Sequence, residues 1–200
     1  MKIAFLRHGP TVWNAQGRIQ GSADIPLSDA GLALMAARRL PFAAARAFAS
    51  PYMRARQTAQ ALGLTGVIPD PRLVEQNWGC WEGLTRDEIA ARDGADCYIR
   101  AGAHRGGLFR PPGGESTQEV LDRVASFLRD TAQGDGDAVA VAHLGVLRAA
   151  YTLATGWDMG TPMPRDLDVS KILLLRLAPD GTAAIATLNM DFIARSDRRP

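Results

Sequence analysis

Cysteine is nearly missing from this chain, whose 200 residues hold only Cys80 and Cys97. Two thiols make at most one bridge, so a disulfide framework is excluded, and reduced thiols in a cytosolic protein are the expected state. Lysine is as scarce. Lys2 and Lys171 stand alone, and arginine carries almost all the positive charge. Arginine presents a planar fork of donors suited to phosphate, although base composition would give the same excess. Lys+Arg 23 against Asp+Glu 21 leaves the charge close to balance, which removes the electrostatic argument for a nucleic-acid partner. No apolar run reaches the roughly 20 residues of a membrane-spanning helix. The four apolar residues Ile3 to Leu6 ahead of Arg7 are too few for a signal-peptide core. A soluble cytoplasmic protein is expected. The three histidines, His8, His104 and His143, lack metal-ligand spacing, so neither a metal nor a cofactor is expected. There is no repeat and no low-complexity tract.

What is present suits one domain over residues 1–200, with a hydrophobic content of 46% to build its core. The run Ile3-Ala4-Phe5-Leu6 reads as a buried strand that ends abruptly in Arg7, His8 and Gly9. Side chains at the carboxyl end of such a strand point into the crevice where open α/β sheets bind ligands. Arg7 suits phosphoryl oxygens, His8 is a nucleophile near neutrality at pH 7, and Gly9 lets a ligand approach the backbone. The alternative is a hydrogen-bonded histidine at a strand edge, since short motifs also occur by chance. A second apolar strand, Ala138 to Ala142, repeats the arrangement: it ends in His143, and a helix begins at Leu144. A helix N-terminus there favours anions.

Between these strands, Val12 to Gly21 reads as a loop or short helical turn, with Asn14 and Arg18 as candidate ligand contacts. Ser28 caps a helix whose buried face is expected to hold Leu32, Met35, Ala36 and Leu40, stopping at Pro41. Ala45 to Ala49 is a weak strand, followed by a helix from Tyr52 to Leu62. Arg54 falls in that helix's first turn, where a cation opposes the helix dipole unless an anion sits nearby. Val67-Ile68 and Leu73-Val74 read as short strands leading to Glu75. The tryptophans of Trp78-Gly79-Cys80-Trp81-Glu82 either wall off a carboxylate, raising its pKa, or pack the loop onto the core. Thr85 with Glu88 and Ser116 with Glu119 are capping boxes opening two helices. From Gly94 to Gly114 periodicity fails, and residues 84–115 are a possible flap. Its Arg100, Arg105 and Arg110 either read the far end of an anionic substrate or face water. Lys171 to Leu177 and Ala183 to Leu188 flank Pro179-Asp180-Gly181 as a hairpin, and the tail from Ser196 is expected to fray.

In this order the blocks resemble the phosphoglycerate-mutase-like branch of the histidine phosphatase superfamily. They are Arg7-His8-Gly9-Pro10-Thr11 with Trp13-Asn14 and Gly17-Arg18-Ile19-Gln20-Gly21; Pro26-Leu27-Ser28 with Gly31; Ser50-Pro51 with Arg54-Ala55 and Thr58-Ala59; Leu73 and Glu75 with Gly79, Trp81, Glu82 and Gly83; Pro112 with Gly114-Glu115-Ser116; and His143 with Gly145, Val146 and Arg148. The resemblance implies a three-layer α/β/α sandwich with a mostly parallel central sheet. It also implies metal-independent phosphomonoester hydrolysis on a small phosphorylated metabolite. His8 would carry the phosphoryl group, with Arg7, Arg54 and His143 binding its oxygens, Asn14 assisting, and Glu75 as proton donor and then base. Arg18, Gln20, Gly21 and Leu144 would line the substrate. Leu144 departs from the family pattern, which commonly has glycine there, and adds bulk near the pocket. The family's mutases carry a longer insert with paired arginines and a longer tail. Here Leu84 to Pro112 fills that gap without an Arg-Arg pair, which favours a phosphatase, of α-ribazole phosphatase type among others. The alternatives are a cofactor-dependent phosphoglycerate mutase and a non-catalytic phosphate-binding module. No sequence feature specifies an oligomeric state.

Overall fold

The two apolar runs that end in histidine become adjacent parallel strands at the centre of a six-stranded sheet. The computed structural model describes residues 1–196. In chain order its elements are β1 (Lys2–Arg7), α1 (Val12–Ala15), α2 (Asp29–Ala36), β2 (Arg38–Arg39), β3 (Arg46–Ala49), α3 (Met53–Ala61), β4 (Ile68–Pro69), α4 (Arg86–Asp93), α5 (Cys97–Arg100), α6 (Thr117–Ala132), β5 (Ala138–Ala142), α7 (Leu144–Thr155), β6 (Ile172–Leu177), β7 (Ala183–Met190) and β8 (Ile193–Ala194). Single 3₁₀ turns interrupt the connections at Pro71–Leu73 and Gly79–Trp81, and two joined across a kink occupy Ala103–Leu108. The sheet order is β4-β3-β5-β1-β6-β7. The first four strands run parallel, and β6 and β7 close the far edge as an antiparallel hairpin. A separate two-stranded ladder pairs β2 with β8.

Strand alternation sorts the core into two layers. Ile3, Phe5, Ala138, Ala140 and Ala142 face α6 and α7, through Val124, Phe127, Leu147 and Ala150. Ala4, Leu6, Val139 and Val141 face the other way onto α2 and α3, through Met35, Ala55 and Ala59. The central strands are buried on both faces, which is why they read as unbroken apolar runs. The result is the expected helix–sheet–helix sandwich with a mostly parallel sheet.

Local signals set the helix starts. The Ser116 Oγ accepts from the Glu119 amide at 3.2 Å, while the Glu119 carboxylate accepts from the Ser116 amide at 2.7 Å. Thr85 and Glu88 form the same reciprocal pair at α4. Each such cap is worth about 1 kcal/mol. α1 is opened by a third box, which engages the expected ligand contact Asn14: its Oδ1 accepts from the amide and hydroxyl of Thr11.

Three expectations fail. Leu32 and Ala36 are exposed, because α2 packs through Gly31 and Met35 instead. A Cβ at position 31 would stand 2.1 Å from the Pro10 carbonyl oxygen, so glycine alone lets that backbone approach, and the close contact fixes which face turns inward. Leu73-Val74 is not a strand, since Asp70 accepts from the Arg72 amide at 2.8 Å and bends Pro71–Leu73 into a 3₁₀ turn. Residues 94–114 are not a structureless loop. α5 and the turn at Ala103–Leu108 lie there, and Trp81, Ile89 and Cys97 form a satellite core with Trp78, Tyr98 and Phe109 packed on it. Periodicity fails there because each piece is four to six residues long, too short to show a repeat. The expected fraying from position 197 onward lies outside the described residues.

Candidate active site

His8 follows β1 directly, and its amide donates to the Ala142 carbonyl at 2.9 Å. Arg7 pairs with Ala142 in the sheet register, so His8 and His143 leave neighbouring strands side by side. Their ring centroids are 5.1 Å apart. His8 Nδ1 lies 2.7 Å from the Gly9 carbonyl oxygen. A carbonyl only accepts, so Nδ1 carries the proton and Nε2 keeps its lone pair. Burial pushes the His8 pKa down to about 3, Arg7 adds to that effect and Arg54 contributes further, against the opposing bond to Gly9. The imidazole is therefore neutral at pH 7, with burial rather than the neighbouring cations as the leading cause.

His143 is fully buried at the N-cap of α7. Arg54 Nε donates to its Nδ1 at 3.2 Å, which places the His143 proton on Nε2. That Nε2 is buried and has no hydrogen-bond partner among the described residues. Burial, then His8 and Arg54, hold the His143 pKa well below the usual histidine range. The two rings are thus complementary: one offers a lone pair, the other an unused N–H.

Arg54 is completely buried in the first turn of α3. Its Nη1 donates to the Ala23 carbonyl at 2.6 Å and its Nη2 to that of Gly21 at 2.8 Å. The guanidinium also lies over the Tyr52 ring at 4.9 Å. No carboxylate forms an ion pair with it among the described residues. Arg7 Nε is likewise buried without a partner. Glu75 faces these cations from the segment before Trp78. Its Oε1 accepts from the amides of Gln76 at 2.9 Å and Gly145 at 3.0 Å. Gly145 is required there, because a Cβ would stand 2.4 Å from that carboxylate oxygen.

The structure brings His8, Arg7, Arg54, Glu75 and His143 together, and treats the remaining expected ligand contacts differently. Asn14 shares with Arg7 and His8 the wall of a cavity of about 340 Å³, yet its carbonyl oxygen is held by Thr11. Arg18 is turned away as a ligand contact. It grips both oxygens of Glu88 and the Gly83 carbonyl, joining the loop to α4. Gly21 acts through its carbonyl, which positions Arg54. Gln20 is buried with its Oε1 unpartnered, and Leu144 is half-buried at the first turn of α7. Trp81 donates to Asp93 within the satellite core, and Glu82 accepts from Ser22 and Trp78. The tryptophans thus pack the loop onto the core, while the glutamates, which that alternative would turn to water, are half-buried and hydrogen-bonded. A larger groove of about 1030 Å³ along α3 and β4 contains none of the five clustered residues.

Sequence reasoning gave no individual role to Thr58, Tyr52 or Arg123. Thr58 Oγ1 accepts from the Gly9 amide at 2.9 Å and donates to the Arg54 carbonyl at 2.6 Å. It lies four positions beyond Arg54, so helical spacing was the available signal. The Tyr52 ring packs 5.6 Å from that of His143. Arg123, paired with Glu115 at 2.7 Å, adds to the positive field on His143. It comes from mid-helix α6 and has no local signal.

Residues 3–190 match the family model described as the histidine phosphatase superfamily (branch 1). A metal-independent phosphoserine phosphatase of Arabidopsis thaliana is 35% identical over 167 residues, covering 77% of this chain and 68% of that protein. A 2,3-bisphosphoglycerate-dependent phosphoglycerate mutase of Azorhizobium caulinodans is 31% identical over 201 residues, covering 91% and 95%. Among solved structures, a mycobacterial glucosyl-3-phosphoglycerate phosphatase in complex with VO3 superposes with a TM-score of 0.78 at 25% identity, covering 95% of this chain and 99% of that one.

Proposed function

The chain belongs to the histidine phosphatase superfamily, and from that premise we propose that it hydrolyses small phosphomonoesters through a phosphohistidine at His8, without a metal. The observation that carries this reading is the pair of unpartnered buried donors, Arg7 Nε–H and His143 Nε2–H, beside a neutral His8. The ester's phosphoryl group sits among Arg7, Arg54 and His143, whose N–H groups meet the charge that develops on its oxygens. Such preorganised donors supply most of what phosphoryl transfer requires. His8 Nε2 gives its lone pair to phosphorus as the bond to the ester oxygen breaks. Glu75, protonated, hands its proton to that oxygen, and the alcohol leaves. Water then attacks phosphorus, Glu75 takes the water's proton, the P–N bond breaks and its electrons return to Nε2.

The neutral His8 ring is the form that attacks, and its Nδ1–H bond to Gly9 directs Nε2 toward the substrate. Asn14, whose carbonyl oxygen is held by Thr11, keeps its amide N–H groups for the phosphoryl group. Mutase activity is the second reading, favoured by the phosphoglycerate mutase relative that covers nearly the whole chain.

The deciding experiment offers p-nitrophenyl phosphate, phosphoserine, 3-phosphoglycerate and α-ribazole phosphate to the pure protein with excess chelator, alongside His8→Ala. Phosphate release that survives chelation and disappears in the variant is expected, with a phosphorylated protein trapped by rapid acid-free quenching. Conversion of 3-phosphoglycerate to its 2-isomer without net hydrolysis would replace this reading by the mutase. Phosphate binding with no turnover of any ester would replace it by a binding module.

A further inference from the structure

We infer that the cavity beside Glu75 receives the leaving group, and that Arg148 makes it selective for small alcohols carrying a carboxylate on an apolar body. This rests on the phosphatase reading above and adds a substrate class to it. The cavity measures about 230 Å³ and shares its wall between Gln76 and Gly145 on one side and the satellite core on the other. The Gln76 and Gly145 amides are the two that hold Glu75. Two residues of the cavity wall thus hold the proton donor from behind, although none of the five clustered residues lines the cavity itself, and a leaving group longer than the phosphoryl pocket would extend into it. Ligand pockets generally span roughly 300–1,000 Å³, so this one suits a small alcohol.

Its wall explains the selectivity. Trp78, Tyr98, Phe109 and Met159 give it an apolar body, while Arg86 and Arg148 give it positive charge, and no acidic residue lines it. Arg148 follows Gly145 by one helical turn on α7. Its Nε is buried and unpartnered, and it makes no ion pair among the described residues. Its guanidinium is held over the Trp157 ring at 5.4 Å. Arg148 is half-buried, and only the field of the Glu75 carboxylate offsets that burial; without a hydrogen-bonded counterion its fork of donors matches the two oxygens of a carboxylate. The Tyr98 hydroxyl is a second buried group without a partner on the same wall. Arg86, over the Tyr98 ring at 5.4 Å, adds charge at the exposed rim.

The test compares 4-carboxyphenyl phosphate with 4-carbamoylphenyl phosphate, which share shape and have similar leaving oxygens. The unmodified protein is expected to favour the carboxylate ester about tenfold or more in kcat/KM, the worth of one charge-assisted hydrogen bond. Arg148→Gln should erase that preference through KM and leave the amide ester within about threefold, with Arg148→Lys recovering part of it. In the unmodified protein, 4-hydroxybenzoate should inhibit p-nitrophenyl phosphate hydrolysis more strongly than 4-hydroxybenzamide, which needs no variant to fold. Equal turnover of the two esters with equal inhibition by the two phenols overturns the inference and leaves the phosphatase standing. So does an Arg148→Gln protein that loses both esters alike through kcat with a displaced pH profile, because Arg148 would then be positioning Glu75. Absence of phosphate release from every ester refutes the phosphatase reading and the inference with it.

Discussion

Adding one methyl group at Gly145 should disable the proton donor while leaving the fold intact. In Gly145→Ala the new Cβ would lie 2.4 Å from Glu75 Oε1, with Gln76 Cβ next at an ordinary 3.5 Å. Carbon and oxygen need about 1 Å more than that, measured against normal contacts near 3.5 Å. The side chain of Glu75 is the part that yields, so its carboxylate leaves the two backbone amides that now hold it. A displacement of about 1 Å in a reacting group costs on the order of a hundredfold in rate, and general acid catalysis as a whole contributes about 10² to 10⁴. Hydrolysis of an alkyl phosphate, whose leaving oxygen must be protonated, should therefore fall by about a hundredfold. p-Nitrophenyl phosphate, whose leaving group departs as a stable anion, should lose less than about tenfold. Thermal stability should hold or rise, since alanine inside a helix is favoured over glycine by up to about 1 kcal/mol. Steady-state kinetics on the two esters, with a melting curve, checks this. An equal loss on both esters would refute the assignment of Glu75 as the acid, and a fall in melting temperature would refute the packing argument.

Other outcomes follow from the same geometry. Below pH 6.5 the unfolded chain takes up a proton at His8 that the folded chain refuses until about pH 3, so stability falls as pH drops through that window. His8 contributes about 1 kcal/mol per pH unit to that loss, with His143 adding in the same direction. Denaturant titrations at several pH values should show a shallower slope for His8→Ala, and identical slopes would contradict the buried neutral ring. Arg54→Lys keeps the charge but cannot reach Gly21, Ala23 and His143 at once. It should lower kcat/KM by about a hundredfold or more and destabilise the fold by about 3 kcal/mol, as read from activity and denaturation together. Arg18→Ala removes an exposed ion pair with Glu88, so it should leave the melting temperature nearly unchanged and KM within twofold. A tenfold rise in KM would place Arg18 against the substrate after all.

Features written in contiguous residues were legible. β1 and β5 are continuous apolar runs ending in histidine, and Ser116 with Glu119 announces α6 three residues at a time. Of the five clustered residues, Arg7 ends a strand, His8 and His143 directly follow one, and Arg54 opens a helix; Glu75 follows a 3₁₀ turn and was legible only through the family resemblance. What escaped depends on partners far along the chain. Arg18 looked free until Glu88, 70 residues away, came beside it. Gly21 looked like a ligand contact, whereas its carbonyl anchors Arg54 across 33 residues. Leu32 follows helical periodicity, yet the close approach of Pro10 to Gly31 decides which face is inside. The cavity wall around Arg148 draws on segments from Gln76 to Met159, and no local pattern records that they meet.

One consequence lies in how the two histidines are spaced. Neighbouring strands of any sheet stand about 4.8 Å apart, and the rings of His8 and His143, which directly follow the paired ends of β1 and β5, are 5.1 Å apart. The backbone separation of the proposed nucleophile and donor is thus inherited from the strand ladder, with the ring orientations then set by Gly9 and Arg54. Changes in the core decide whether that ladder exists, not its spacing. On the proposed mechanism the two histidines should accordingly stay paired until the sheet itself melts, while the wall around Arg148, hung on segments outside the sheet, is free to be reshaped for a different alcohol.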